Sequence, residues 1–259
     1  MRALAHNNWA HYWDLLSVLI STELRSRYHG TVLGVLWSLA NPIAFTIALY
    51  VAVRVIFRVE IDNYPLFLLA GMFPWQWFSN SINTASRLFI GNAPLIKKLP
   101  MPRTALCVAS VLAEMLHFLV TIPLLAGLAW VATERIPTAI WWLGVPVLLF
   151  VQAVFTTSLV LAIATTSAFL RDLEPLLRVA TLLLFYLTPI LFPISMVPPE
   201  FSWMLIVNPV TSFIICWREL MLEGTLSPYL AAAVVHTVIT VAVASLIYRR
   251  TGWRVPEVV

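Results

Sequence analysis

Apolar residues run almost unbroken for twenty or so positions at a time along this chain, and the runs stop at short polar stations rich in proline, arginine or asparagine. A run of about 18 or more residues with few charges is long enough to cross a bilayer as a helix. Six such runs are predicted, at 32–57, 64–89, 104–132, 139–170, 173–192 and 229–248. Between the fifth and sixth lies another apolar stretch, 193–227, but Pro193, Pro198, Pro199 and Pro209 cut it up. Its pieces of about 8–15 residues are too short for a hydrocarbon core of ~30 Å. They can dip into the membrane as re-entrant helices if protein covers their broken backbone. The first thirty residues follow another pattern. Trp9, Tyr12, Trp13, Leu16 and Ile20 recur at helical spacing, opposite Asn7, His11, Asp14, Ser17 and Ser21. That division fits a helix lying in the plane of the membrane interface, over 1–31. A helix folded onto a neighbouring element carries the same stripe.

Composition agrees with the pattern. Of 259 residues, 61% are hydrophobic and 11% charged, and the mean hydropathy is +0.89. Soluble domains average about 45–50% apolar and about 25% charged. The expected class is therefore an all-α polytopic membrane protein forming one transmembrane domain. A closed β-barrel would need short alternating strands rather than long apolar runs. The net charge of +4 does not point to nucleic acid, because basic residues in such a chain mainly set orientation. Arg2, Arg25, Arg27, Arg87, Lys97, Lys98, Arg103, Arg171, Arg178, Arg249, Arg250 and Arg254 fall on one side of the six-span map. Arg54, Arg58, Arg135 and Arg218 fall on the other. Both termini are then expected in the cytoplasm, and 193–227 outside. No cleavable signal peptide is expected, since the first spanning run begins only after residue 30. Cys107 and Cys216 lie in different segments and suggest neither a disulfide framework nor a metal site.

The chain carries little that could do chemistry. It has no G-x-x-x-x-G-K-[ST] phosphate loop, no H-E-x-x-H and no G-x-S-x-G. Glu114 and His117, at i and i+3 in the third run, share a helix face, as in carboxylate-bridged metal bundles. Such sites need a second copy of the pair, and none is present, so an interhelical hydrogen bond is the expected role. His236 is a weaker ligand candidate. Few ionisable groups lie inside the spans, which argues against a proton or ion relay. Something outside the chain must then supply the energy. One segment suits that contact: FIGNAPLIKKLPMPR, residues 89–103, compact, basic and set off by three prolines. A short helix near Ala93–Leu99 exposing Leu95, Ile96 and Leu99 would plug a cleft on a soluble partner. A turn touching only lipid headgroups fits the same residues.

Five stretches, in order, carry a family resemblance. ELRSRYHGTVLGVLWSLANPI leads into the first span and AGMFPWQWF lies in the second. FIGNAPLIKKLPMPR follows it, RDLEPLLRVATLLLFYLTPILFP covers the fifth, and NPVTSFIICWRELML lies in the outer segment. Together they resemble the membrane subunit of ABC-2 type polysaccharide exporters, the branch handling O-antigen, capsule or teichoic-acid polymers. The resemblance implies a homodimer bound to two copies of a separate cytoplasmic ATPase, with ATP and Mg on that partner and no cofactor in this chain. It implies a bacterial inner-membrane location and a lipid-linked glycan as substrate. It assigns Ala93, Pro94, Leu95, Ile96 and Lys97, within 90–103, to the coupling helix. Trp9, Tyr12, Trp13, Arg25, Arg27 and Tyr28 fall beside the cytoplasmic portal. Pro193, Pro198, Pro199, Trp203, Asn208 and Pro209 belong to two re-entrant gate helices on the periplasmic side.

Aromatic faces bind sugar rings by apolar stacking while leaving hydroxyls free, so a glycan can slide past them. Phe73, Trp75, Trp77 and Phe78 in the second span, with Tyr186 in the fifth, are the candidates for such a path. Trp75 lies roughly 17 Å into its span at 1.5 Å per residue, deeper than an interfacial belt. Helix–helix packing is the competing role, and the four positions 73, 75, 77 and 78 spread around the helix, so they cannot all face one path. A drug or lipid exporter of the same fold, or a membrane-embedded glycan acyltransferase, are the alternative functions. The acyltransferase needs a polar catalytic cluster, and only Glu114 and His117 approach one.

Overall fold

Proline and asparagine set the helix boundaries. A computed structural model of the chain describes residues 8–28, 37–52, 63–98, 101–133, 139–170 and 172–258, and the regular structure among them is helical. The long elements are α1 (Asn8–Tyr28), α2 (Trp37–Tyr50), α3 (Tyr64–Gly91), α4 (Ala93–Lys98), α5 (Arg103–Thr133), α6 (Ala139–Ser167) and α7 (Leu173–Leu187). They are followed by α8 (Ser202–Val207), α9 (Pro209–Glu223), α10 (Tyr229–Thr251) and a last turn, α11 (Val255–Val258).

Helix α3 starts from Asn63 in the left-handed region, φ 47°, which asparagine tolerates better than most residues. Pro65 follows in the first turn, where a missing N–H is harmless. Helix α7 stops short of the predicted 192. Thr188 precedes Pro189, and a residue before proline is pushed out of the helical region; its ψ is 138°. Asn208 does the same before Pro209, and there α8 and α9 meet at 95°. The Asn208 side chain then accepts from the Val210 N–H at 3.0 Å and caps α9. Gly224, with φ 70°, ends α9 in the left-handed cap that glycine permits.

Among the described residues, three helical stretches are long and apolar enough to cross a membrane: Arg103–Val131, Ala139–Ser167 and Tyr229–Val258. A fourth joins them if α8 and α9 count as one broken span. Helix α3 has 28 residues but carries a polar stripe. Helix α7, with 15 residues, rises only about 22 Å. Of the first predicted span, 32–36 and 53–57 lie outside the described residues.

Helix α3 is the hub: it contacts α2, α5, α6, α7 and α9. Because lipid is as apolar as leucine, such contacts rest on close packing and interhelical hydrogen bonds. Gln152 of α6 supplies two. Its Nε2 donates to the Pro74 carbonyl of α3 (3.1 Å), and its Oε1 accepts from Trp217 Nε1 of α9 (2.7 Å). One buried amide thus ties three helices. By contrast, the outward faces of α6 and α10 carry exposed Trp142, Leu143, Phe150, Val235, Val238 and Ile239, as lipid contact requires.

Candidate functional site

Helix α4 sits at one end of the bundle. Asn92 ends α3 by donating from Nδ2 to the Leu88 carbonyl (2.8 Å). Its own carbonyl then receives the Leu95 and Ile96 N–H groups, both at 3.0 Å, so a single residue turns the chain from α3 into α4. Pro94, Lys97 and Lys98 are exposed and Leu95 is half-buried. Ile96 departs from the expectation that it faces outward: it is 8% exposed and belongs to the main core. A six-residue helix that must be both seated and available gives one apolar side chain to its own protein. Leu99 lies outside the described residues.

The sequence reading missed what seats α4. Helix α11 contacts it, with Val255 fully buried in the same core cluster as Ile96. Arg103 NH1, at the start of α5, donates to the Gly252 carbonyl and holds this C-terminal turn. We expect Val255→Asp to lower thermal stability and weaken recovery of any soluble partner together, whereas Lys97→Ala should leave the melting temperature unchanged.

Beside α4 lies α1. Leu16 is buried against Ala105 and Ala109 of α5, with Tyr12 and Ile20 packed around it. The stripe therefore folds onto a neighbour in part, while Trp13 points away, 62% exposed. Arg25 is exposed. Trp9, Arg27 and Tyr28 lie within α1, but their side chains fall outside the described residues. A cavity of about 580 Å³ opens between α1, α4 and α5, bordered by Leu19, Leu95, Lys98 and Leu106.

The proline-cut segment forms the opposite region. Pro193, Pro198 and Pro199 lie in a loop with two short 3-10 turns; Trp203 is exposed on α8. Helix α9 is nearly all buried from Val210 to Met221. Its Arg218 was counted in the sequence only as an outer-side charge, yet it is 7% exposed. Its NH1 and NH2 donate to the Pro189 (2.8 Å) and Ile190 (3.0 Å) carbonyls just past α7. Its guanidinium carbon sits 3.6 Å from the Phe67 ring centroid, a cation–π distance. Tyr64 OH donates to the Leu191 carbonyl (3.1 Å) and Asn208 Nδ2 to Thr188 Oγ1 (2.9 Å). Three side chains thus hold four consecutive residues, 188–191, at the junction of α7 with the outer segment. The available signal was an ionisable residue in an apolar piece, which inside a membrane protein needs a partner.

The aromatic candidates on α3 pack within the chain. Trp77 stacks on Phe118 (5.5 Å between centroids) and donates to the Val111 carbonyl (3.2 Å). Phe78 stacks on Phe155 (6.0 Å). Phe73 is buried in the core cluster. Trp75, 6% exposed, lies at the edge of this network, 5.6 Å from both Phe78 and Phe185 of α7. Tyr186 is 58% exposed. Trp75→Ala should therefore lower the melting temperature, by analogy with aromatic deletions in buried cores at roughly 3–5 kcal/mol, and Trp75→Phe much less. A thermal-melt series on the purified protein checks this, and equal melting of the two variants would contradict it.

Glu114 and His117 are buried between α3 and α5. Asn80 Nδ2 donates to Glu114 Oε2 at 3.2 Å, the expected interhelical bond, and His117 Nδ1 lies 3.7 Å from the same oxygen. No group of three or more His, Cys, Asp or Glu side chains that could hold a metal occurs among the described residues.

The described residues form a helical, membrane-capable domain in which the short basic α4 lies beside the amphipathic α1. The chain belongs to the ABC-2 type transporter family, whose model matches residues 14–222. It is 38% identical to the O-antigen export system permease protein RfbA of Klebsiella pneumoniae over 97% of both chains. It is 31% identical to the Myxococcus xanthus protein of that name, over 92% of this chain and 93% of the other. The polysialic acid transport protein KpsM of Escherichia coli is more distant, at 24% identity over 90% of this chain and 92% of its own length.

Proposed function

We propose that the chain is the channel-forming subunit of an ATP-driven exporter that moves a lipid-linked, O-antigen-like polysaccharide from cytoplasm to periplasm. The observation that carries this reading is the match, over 97% and 92% of this chain, to permeases named for O-antigen export. Two copies of the subunit enclose the path, and two copies of a separate cytoplasmic ATPase bind ATP and Mg. Helix α4 meets that ATPase through Leu95 and the exposed Lys97. In this reading α2, α3, α5, α6, α7 and α10 are the six spans. Helices α8 and α9 are the periplasmic gate, with Asn208 and Pro209 at its bend, and both termini are cytoplasmic. Helix α1 lies at the cytoplasmic portal with Trp13 toward the headgroups.

The test is complementation. A strain lacking its O-antigen permease should regain surface polysaccharide when given this chain with its ATPase, and should not when the ATPase carries a disabled phosphate loop. Restoration with the disabled ATPase would refute the coupling. Topology is checked by cysteine labelling in a background where the buried Cys107 and Cys216 are alanine. Cysteines placed at the exposed Ser202 and Thr225 should react from the periplasm, and one at Asn92 only from the cytoplasm. Asn92→Cys reacting in intact cells would overturn the six-span map.

A further inference from the structure

Helix α3 changes character at Trp75. From Tyr64 to Trp75 nearly every residue is buried. Beyond that point one side of the helix opens: Asn80, Asn83 and Arg87 are exposed, and Gln76, Ser79 and Thr84 are half-buried. Spacings of three and four residues put all six on one face, and none of them is apolar. The opposite face stays buried through Trp77, Ile82, Ala85 and Phe89. From Gln76 to Arg87 the polar face covers about 17 Å at 1.5 Å per residue, and it ends where α3 leads into α4. In the six-span reading this is the cytoplasmic half of a membrane helix. Amides and a guanidinium are not left to lipid, so such a face turns toward water or protein. Arg87 pairs with Glu174 and Asn83 meets Thr181, both on α7. Asn80 is held from the other side, by α5.

Behind this face sits a buried carboxylate. Glu114, 3% exposed, lies about 17 Å into α5, at a depth where an ionisable group is costly and marks a function. Joining α3 to α5 does not require it, because Trp77 Nε1 already bonds the Val111 carbonyl between the same two helices. Its effect is local. Glu114 Oε2 accepts from Asn80 Nδ2 at 3.2 Å, with His117 Nδ1 3.7 Å from the same oxygen. An acceptor behind the helix dictates how the Asn80 amide turns. The nitrogen is drawn inward, and the oxygen, on the other arm of the planar group, is left on the exposed face. We infer that Glu114 is a positioning residue: it holds the Asn80 carbonyl outward as a hydrogen-bond acceptor for the hydroxyl groups of a glycan passing along the polar face of α3. This rests on the export reading above and deepens it. A glycan entering a narrow path gives up water from its hydroxyls, and fixed acceptors on the wall replace that water. An amide that is already oriented needs no reordering as each hydroxyl arrives.

Two measurements separate positioning from a plain helix contact. The first asks whether the polar face meets water. In the background lacking Cys107 and Cys216, Ser79→Cys and Asn83→Cys should react with a charged methanethiosulfonate in inverted membrane vesicles. Phe150→Cys, on the exposed apolar face of α6, should not. No reaction at either α3 position overturns the proposal, because that face is then covered by lipid or by a second copy. The second measurement reconstitutes the permease with its ATPase in phosphatidylcholine proteoliposomes. It follows the rate of transport against the concentration of the complementation strain's lipid-linked polysaccharide. Glu114→Leu and Asn80→Leu should each raise KM about fivefold, the scale of one lost hydrogen bond, with kcat kept. The melting temperature of Glu114→Leu should not fall, since an apolar replacement of a buried carboxylate costs little. The double variant should be no worse than either single one, because the two residues act as a unit. Glu114→Gln still offers an oxygen to Asn80 Nδ2 and should restore the wild-type KM. A structural contact makes the opposite prediction: melting and kcat fall while KM stays. Asn80 is exposed, so Asn80→Leu keeps the test readable if Glu114→Leu fails to fold. A wild-type KM with Asn80→Leu, or a KM raised as far by Glu114→Gln as by Glu114→Leu, overturns the positioning role alone. No transport by the unaltered chain sinks the export reading itself, whatever the variants show.

Discussion

Replacing Leu95 with glutamate should abolish polysaccharide export while leaving the protein inserted and folded. Leu95 is half-buried on α4, one residue before the Ile96 that seats the helix. If Leu95 fills an apolar cleft of the ATPase, a carboxylate there must be desolvated. Without a partner that costs several kcal/mol or more, and about 4 kcal/mol is already a thousandfold in affinity. Recovery of the ATPase with the tagged permease should fall below detection. Leu95→Met should keep both, because it preserves volume and apolarity. Ile96→Glu is the less informative variant, since it attacks the protein's own core before any contact with a partner. Normal ATPase recovery with Leu95→Glu would favour the account in which this segment touches only lipid headgroups.

Arg218→Ala should give the largest loss of stability. It strips the donors from two buried carbonyls, Pro189 and Ile190, at about 1–3 kcal/mol for each acceptor left unsatisfied. It also opens a cavity over Phe67. The end of α7 would come loose from α9, so export should fail even with the ATPase still bound, the converse of Leu95→Glu. Arg218→Lys keeps the charge but cannot reach two carbonyls with a planar fork, and should fall between. Gly71→Ala is an independent probe of the same contact. A Cβ there would lie 2.8 Å from Arg218 NH2, so the pinned guanidinium has to shift. We expect a melting loss smaller than that of Arg218→Ala and in the same direction. A Gly71→Ala protein that melts like wild type, with Arg218→Ala also near wild type, would remove Arg218 from the junction.

Much of the framework could be read directly. Helices follow from long apolar runs because a backbone in lipid has to satisfy its own hydrogen bonds. Their ends follow from residues whose effects are local. Thr188 before Pro189, Asn208 before Pro209 and Gly224 after α9 each stop or turn the chain through their own torsions. The short helix in FIGNAPLIKKLPMPR was legible for the same reason, since Asn92 and the prolines leave room for little else.

Which faces the helices turn toward each other was not legible. Periodicity separates polar from apolar, but in a membrane protein both the lipid-facing and the protein-facing surfaces are apolar, so no stripe marks the inside. The positions of Trp75, Trp77 and Phe78 showed that they could not all face one path, but not which of them faces inward. Only the assembled bundle shows Trp77 locked on Phe118, Phe78 on Phe155, and Trp75 at the seam with α7. The same holds for Ile96, whose inward direction depends on α11 folding back from more than 150 positions away. Arg218 is the sharpest case. In sequence it is one arginine among sixteen basic residues. Its role comes from two carbonyls and a ring on other helices, brought to it by the 95° bend at Asn208. The sequence by itself determined that the chain is helical, membrane-bound and without a phosphate loop of its own, because backbone satisfaction, apolar run length and local torsions act over a few residues. Tertiary structure decided which side chains are buried and which are left to bind, because that depends on contacts between helices far apart in the chain.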